Sequence, residues 1–509
     1  MRTSTRERGH GRWCIREEEH VKTKGFVVAM LVPVLSILIG VAATPPFAPT
    51  PASATPGFAR QTGISCQACH TVFPELTPFG RTFKLNAYVF TNVKEVLATD
   101  EQSQRTLSLS DLPPISVMLQ GSNTTLGRGV PDSGVAGDLS QRNDTQFPQA
   151  LSIFYTGKIA DYLGAFLQLT WEPDSDSVGI DNSDLRFASH ASFASIGIPD
   201  FIYGITVNNN PTSQDVWNST PAWGYPFVSS NVGVPPVAST LLDGQFAQES
   251  AGFGGYLYLF NHLYVELSGY VSAQTSFTNT TTGGPGPLDS TSPLPRISGV
   301  APYWRLAWEQ DWGSHALSFG TYGISAQVHP SGIGESGPRN TFTDIALDGQ
   351  YQYITDRHIF SATTTWIHEN QKYNNRGLSD HKKDWLDTVR LNGSYFFKRK
   401  IGGTAQLFST SGSRDFTLYC SPSTYATAPS PACPGADTGT PSQLLGSANG
   451  NPTTQGATVE IDYLPWLNTK IGLQYTAYSK FNGRQHNYDG FGRNASENNL
   501  LYVYIWTAF

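Results

Sequence analysis

The sequence predicts an all-β protein: a transmembrane antiparallel β-barrel of about sixteen strands, with a small segment ahead of it. Three observations carry this expectation. Charge is low without high hydrophobicity, apolar residues recur with period two, and short turns alternate with long polar connections. Charged residues make up 14%, hydrophobic residues 39% and aromatics 12% of the 509 residues, with 49 glycines. A barrel strand shows lipid an apolar face and water a polar one, which gives this balance. The net charge of −7 argues against a nucleic-acid partner.

Period two is plain in Leu386–Phe396, where Val389 and Leu391 alternate with Arg390, Asn392 and Ser394. It recurs where Ile471, Leu473, Tyr475 and Ala477 alternate with Gly472, Gln474 and Thr476. This is the half-buried strand pattern. Short turns are expected at Lys158–Tyr162, Asn261–His262, Asp311–Ser314, Thr355–Arg357, Lys398–Lys400 and Pro465–Asn468. The connections between these hairpins are longer and rich in Gly, Ser, Thr, Asn and Pro, the rim asymmetry of outer-membrane barrels. A first strand near Ile115–Ser122, seven hairpins (the least defined around Asp184–Asn208) and a last strand Leu500–Phe509 give the strand count, so 114–509 is the barrel. Trp308, Trp312, Phe396, Phe397, Tyr463 and Trp466 gather near the turns, as interfacial girdles require. The competing architecture is a soluble many-stranded sandwich or propeller, which the girdles and loop asymmetry disfavour.

Ahead of the barrel, Gly25–Ala43 is the only long apolar run, preceded by Lys22 and Lys24 and followed by Ala52-Ser53-Ala54. Positive flank, apolar run and small-residue site predict a signal peptide over 1–54; an uncleaved anchor is the competing reading. Either way the chain is exported. Of five cysteines, Cys14 lies in the leader. Cys420 and Cys433 fall in a Ser/Pro/Thr-rich stretch, where a loop disulfide is expected.

Cys66-Gln67-Ala68-Cys69-His70 is a C-x-x-C-H sequence. Two thiols at this spacing can bond the two vinyl groups of one haem, and the adjacent imidazole then faces the iron. A redox dithiol or half a zinc site would use the same cysteines. The histidine, the export signal and the lack of a second C-x-x-C favour one covalent haem c. Residues 55–113 are then a c-type haem segment, too short for an independent core and expected to plug the lumen.

Phe58–Tyr88, FARQTGISCQACHTVFPELTPFGRTFKLNAY, resembles the haem region of the fused outer-membrane monohaem cytochrome–porin family, whose characterised members are Fe(II) oxidases. The resemblance is carried by Arg60-Gln61-Thr62-Gly63, the C-x-x-C-H, Phe73-Pro74, Phe79-Gly80-Arg81 and Phe83-Lys84-Leu85-Asn86. Ala87 stands where the family leads one to expect glycine. The resemblance implies a single haem in or at the barrel, taking electrons from outside and passing them to a periplasmic carrier.

Met118 is the only methionine after residue 54, so a His/Met haem has no other protein ligand of that kind. It shares strand parity with Ser116 and Gln120, expected to face the lumen. The plainer reading, and the preferred one, is that Met118 fills a gap against the plug. His190 shares parity with Asp184 and Arg186. The other histidines, His381 in a loop among them, read as solvated or structural. Glu172, Asp174, Asp176, Asp181 and Asp184 form a carboxylate cluster that reads as a solvated loop, with a divalent cation site as the alternative. Pro211–Phe227, with Trp217, Trp223 and Tyr225, is too aromatic for a plain loop and is expected to fold inward.

The expected function is an electron conduit in the outer membrane. Extracellular Fe(II) or another donor meets a haem near the outer rim, and a periplasmic cytochrome or other carrier takes the electron. The alternatives are a porin or solute channel with a structural or sensory haem, and electron export to extracellular acceptors. Whether the chain counts as an oxidoreductase enzyme the sequence leaves open.

Overall fold

Lipid offers the backbone no hydrogen-bond partner, so strands that cross it must close on themselves. The computed structural model describes residues 56–90, 95–99, 105–110, 113–130, 141–172, 177–193, 198–220, 224–247, 250–273, 296–329, 337–374, 379–419, 446–490 and 492–509. The expected signal peptide and the Cys420–Cys433 pair lie outside them. Among the described residues, sixteen antiparallel strands form one closed barrel. The first, Ile115–Val130, pairs with the last, Leu500–Ala508, from Leu126↔Leu500 to Met118↔Ala508. Phe509 and Val117 exchange backbone hydrogen bonds of 2.8 and 2.9 Å to seal the seam. Two strands are interrupted: Ser177–Ile180 continues as Asp184–Phe193, and Arg296–Ile297 as Ala301–Trp312. A separate hairpin pairs Glu95–Thr99 with Arg105–Ser110.

The barrel wall is polar inside and apolar outside. Thr388, Asn392 and Ser394 are buried on the lumenal face, whereas Val389 and Leu391 point outward and are exposed. The same alternation buries Gln474 and Thr476 and exposes Tyr475. Exposed aliphatic side chains such as Leu267, Leu347, Leu407 and Ile461 make the outer surface one that only lipid can cover. The expected turns all occur, on one rim, together with both ends of the barrel chain. There Tyr162, Phe260, Trp312, Phe397, Trp466 and Phe509 are exposed and form a girdle. Phe396 does not join it; one residue of parity turns it into the lumen, where it is buried. The first strand runs eight residues beyond its expected end at Ser122, because Asn123–Leu126 pairs with the last strand above the lipid band.

The lumen is filled. Three short helices, α1 (Pro56–Thr62), α2 (Cys66–Cys69) and α3 (Pro78–Leu85), lie inside the short-turn half. Helix α3 starts as its sequence dictates. Thr77 caps it by accepting from Gly80 N at 3.1 Å, and Pro78 occupies a position that needs no donor. From α3, Arg81 reaches the wall. Its Nε and Nη2 donate to the two Glu309 carboxylate oxygens at 2.8 and 3.1 Å. Nη1 donates to Leu76 O, Gln350 Oε1 and Gln352 Oε1 at 2.7, 3.0 and 3.1 Å. Glu75 accepts from Gln350 and Gln352, each at 3.2 Å, and from Ser361. After α3 the chain turns at Ala87 and Tyr88, both with left-handed backbone (φ 56° and 58°). That geometry is why glycine is the expected residue at 87. Alanine costs about 1–2 kcal/mol there, partly offset by burying its methyl, about 0.8 kcal/mol. Tyr88 then donates to Asp184 Oδ2 at 2.8 Å.

The aromatic segment enters from the long-loop side and reaches the plug. It folds inward as expected: Pro211, Val216 and Trp217 are buried, and Trp217 Nε1 donates to Glu309 at 2.8 Å. Trp223 lies outside the described residues. Of the carboxylate cluster, Asp174 and Asp176 lie outside them too, but Asp181 and Asp184 overturn the solvated-loop reading. Asp184 is buried and accepts from Arg186, Thr206 and Tyr88; Asp181 accepts from Thr170 and the Asn182 amide. Both face inward at a strand interruption, so they bind the wall to its contents.

Removing Arg81 leaves Glu309 with a buried charge and no cation partner at this contact. Arg81→Met is expected to weaken plug docking by about 3–5 kcal/mol. Limited proteolysis across a urea series should then cut residues 56–90 at lower urea than in the parent protein. Unchanged cleavage would show the pair to be dispensable.

Candidate functional site: a cofactor cradle around Cys66, Cys69 and His70

The C-x-x-C-H sequence forms one helical turn. His70 N donates to Cys66 O at 2.9 Å, and Ala68 N to Ser65 O at 3.0 Å. Helix α3 packs directly on that turn: Thr77 N donates to Cys69 O at 2.9 Å and Thr77 Oγ1 to Ala68 O at 2.5 Å. Gly80 makes this approach feasible, since a Cβ there would lie 2.2 Å from Cys69 O. Phe79-Gly80-Arg81 therefore couples the motif to the barrel: the glycine lets α3 touch the cysteine turn, and the arginine ties α3 to the wall.

His70 Nδ1 lies 3.2 Å from Pro74 O. A carbonyl only accepts, so the proton sits on Nδ1 and Nε2 keeps its lone pair for a metal. Burial pushes the His70 pKa down to about 4, so the ring is neutral at physiological pH, as an iron ligand must be. Burial also pushes Cys66 up to about 12 and Cys69 up to about 11. A redox dithiol is activated by a lowered pKa, so this environment disfavours the dithiol reading.

Two cavities meet at the motif and share Cys66, His70, Phe73 and Pro74. The first is walled by Phe154, Phe227, Phe396 and Trp506, the second by Phe58, Phe83 and Phe166. A haem needs such an apolar slot with cations for its carboxylates. Arg399 and Lys470 line the first cavity and Lys84 the second. The residues present fit the group: Cys66 and Cys69 to hold it, His70 to ligate its iron. Lys84 is half-buried, donates to Ser213 O at 2.5 Å, and is pushed down to about 8 by loss of solvent around its amine.

Met118 lines the first cavity with Cys66 and His70, on the lumenal parity expected for it. Its sulfur accepts from Gln120 Nε2 at 3.7 Å. His190 does not join the cavity around the cysteines. Its Nε2 meets Asn86 Oδ1 at 2.7 Å and its Nδ1 meets Asp200 at 3.0 Å, on an exposed edge. The other family-motif residues position the cradle. Arg60 donates to Ile115 O at 2.5 Å. Gln61 donates to Tyr88 O and accepts from Lys158 N at 2.7 Å. Sequence reasoning missed Phe227, Val228 and Arg399 as cavity residues. The inward-folding aromatic segment Pro211–Phe227 was a signal for Phe227; nothing in the sequence marked Val228 or Arg399.

One expectation changes. His70 O accepts from Arg399 Nη1 at 3.1 Å, and Arg399 lies in a short turn between two strands. The motif therefore sits at the short-turn rim, which is the periplasmic one in outer-membrane barrels, and not near the outer rim. The plug is held at that rim by Arg81, which docks on Glu309, Gln350 and Gln352 beside the short turns.

No family model and no curated relative matches the sequence. Among solved structures, the chain is similar to the loop L8 deletion mutant of OmpT, an outer membrane protein of Vibrio cholerae, at 9% identity, over 78% of this chain and 98% of that one, with TM-score 0.38. It is similar to the outer membrane channel DcaP of Acinetobacter baumannii at 12% identity, over 78% and 96%, with TM-score 0.40. A porin mutant of Rh. blastica matches at 13% identity, over 78% and 99%, with TM-score 0.37. Closed, polar within and apolar without, this molecule is a bacterial outer-membrane β-barrel with an occupied lumen.

The contact at Gly80 gives a sharp test of the cradle. Gly80→Val should lift α3 from the cysteine turn and cut covalent haem per folded barrel several-fold, read by pyridine haemochrome against heat-modifiable gel migration. Haem content equal to the parent would remove the role given to this contact.

Proposed function

We propose that this barrel carries electrons across the outer membrane through a single c-type haem held by Cys66, Cys69 and His70, from extracellular Fe(II) to a periplasmic carrier. The observation that carries the reading is the half-buried His70, oriented by Pro74 O and lining two apolar cavities at the C-x-x-C-H turn. A haem bound there supplies a one-electron carrier in a site walled off from lipid. The chain's own residues do the rest. Pro74 fixes the imidazole, Arg399 offsets negative charge in the first cavity, and the phenylalanines give it an apolar wall. The short-turn position of the motif supports handover to a carrier in the periplasm.

Met118 is the candidate distal ligand on this reading, since it faces the same cavity as His70. A thioether ligand raises the potential relative to a second imidazole, which suits a weak reductant such as Fe(II). The second reading is a porin or solute channel whose haem is structural or sensory, which the closed barrel with its polar inner wall favours.

Two measurements decide these points. In proteoliposomes of known orientation, Fe(II) supplied anaerobically at the long-loop side should reduce the haem in stopped flow. Reduction only from the short-turn side, or none, would remove the Fe(II) assignment. Met118→Leu should lower the midpoint potential and abolish any thioether-to-iron charge-transfer band. A variant with an unchanged potential and spectrum would return Met118 to the role of gap filler.

A further inference from the structure

At the opposite rim, a second cluster of ligating side chains stands apart from the cradle. His381 lies in the connection between the strands His358–Lys372 and Lys383–Phe397. Asp384 opens the second of these strands, and Asp415 precedes the short helix Phe416–Tyr419. His381 Nδ1 is 3.3 Å from Asp384 Oδ1 and 3.6 Å from Asp415 Oδ2. Tetrahedral ligands bound at the usual zinc distances stand about 3.4 Å apart, so this spacing suits a metal centred among them.

The hydrogen bonding answers the two carboxylates unequally: Asp415 accepts from Asp380 N at 2.7 Å and Leu418 N at 2.8 Å, whereas Asp384 has no backbone donor among the described contacts. Ser379 Oγ has one proton, yet it faces His381 O at 2.7 Å, Asp384 Oδ2 at 3.1 Å and Asp415 Oδ2 at 2.7 Å. The Asp384 and Asp415 side chains are both fully buried. Asp384 Oδ1 is buried with no hydrogen-bond partner and points at the imidazole. A buried carboxylate oxygen without a donor is costly, and a cation would remove that cost. The His381 side chain is 54% exposed, which leaves an entry path and an open coordination position.

We propose that His381, Asp384 and Asp415 bind a divalent first-row transition-metal ion at the extracellular mouth of the barrel. The donor set selects this class: one imidazole with two carboxylates suits ions such as Zn(II), Fe(II) or Mn(II), whereas calcium takes six to eight oxygens. The site is independent of the haem reading, and loss of either leaves the other intact.

The test uses the full-length, chelator-treated protein in detergent, dialysed against buffered Zn(II) and assayed by mass spectrometry for zinc per chain. The parent should take up one equivalent that His381→Ala and Asp384→Asn each weaken by at least about tenfold. Heat-modifiable migration confirms that both variants keep the barrel, and His381→Ala, in an exposed connection, leaves the wall untouched. No zinc uptake by the parent, or uptake that neither variant weakens, would overturn the site and leave His381 as an ion-pair partner only.

Discussion

Polarity turned inside out is the constraint on which this molecule depends. Because lipid covers the outer face, the hydrophobic surface of each strand is spent there, and the lumen is left with a polar wall. Whatever enters the lumen must therefore bring complementary charge and hydrogen bonds. The Arg81–Glu309 pair, 3% and 5% exposed at its two side chains, is the central instance. Both carboxylate oxygens accept from the guanidinium, Trp217 adds a third donor, and Leu76 O shares the Nη1 hydrogens with two glutamines. A pair so fully bonded can be kept in a low-dielectric interior where a lone charge could not.

The same pair joins two parts of the chain that have no local relation. Trp217 belongs to the segment that folds in from the long-loop side, and Arg81 to the plug that enters from the short-turn side. Glu309 on the wall binds both, so the two halves of the lumenal filling meet on one carboxylate. Asp184 repeats the arrangement, taking Tyr88 from the plug and Arg186 from the wall, while Arg186 donates to Gln214 O at 2.5 Å in the inward segment. Cradle position is thus set by charges several residues away from the cysteines, and the apolar cavities around His70 are held open by polar anchors at their edges.

Position also separates the two ends of the barrel by chemistry. At the short-turn rim, soft and apolar groups surround a neutral imidazole. At the long-loop rim, an exposed imidazole stands over two buried carboxylates.

The barrel, its strand count, its turns and the cysteine–histidine motif were legible in the sequence because each is local. Period two follows from the geometry of a strand, turn residues from backbone conformation, and C-x-x-C-H from one helical turn. The lumenal parity of Met118 was legible for the same reason. What required the tertiary structure was every pairing across the lumen. Arg81 with Glu309, Asp184 with Tyr88, and His381 with Asp384 and Asp415 join residues whose separation in sequence says nothing about their distance. The rim at which His70 sits was equally hidden. It depends on which wall residues the plug docks against, and only the closed barrel brings Glu309, Gln350 and Arg399 to it.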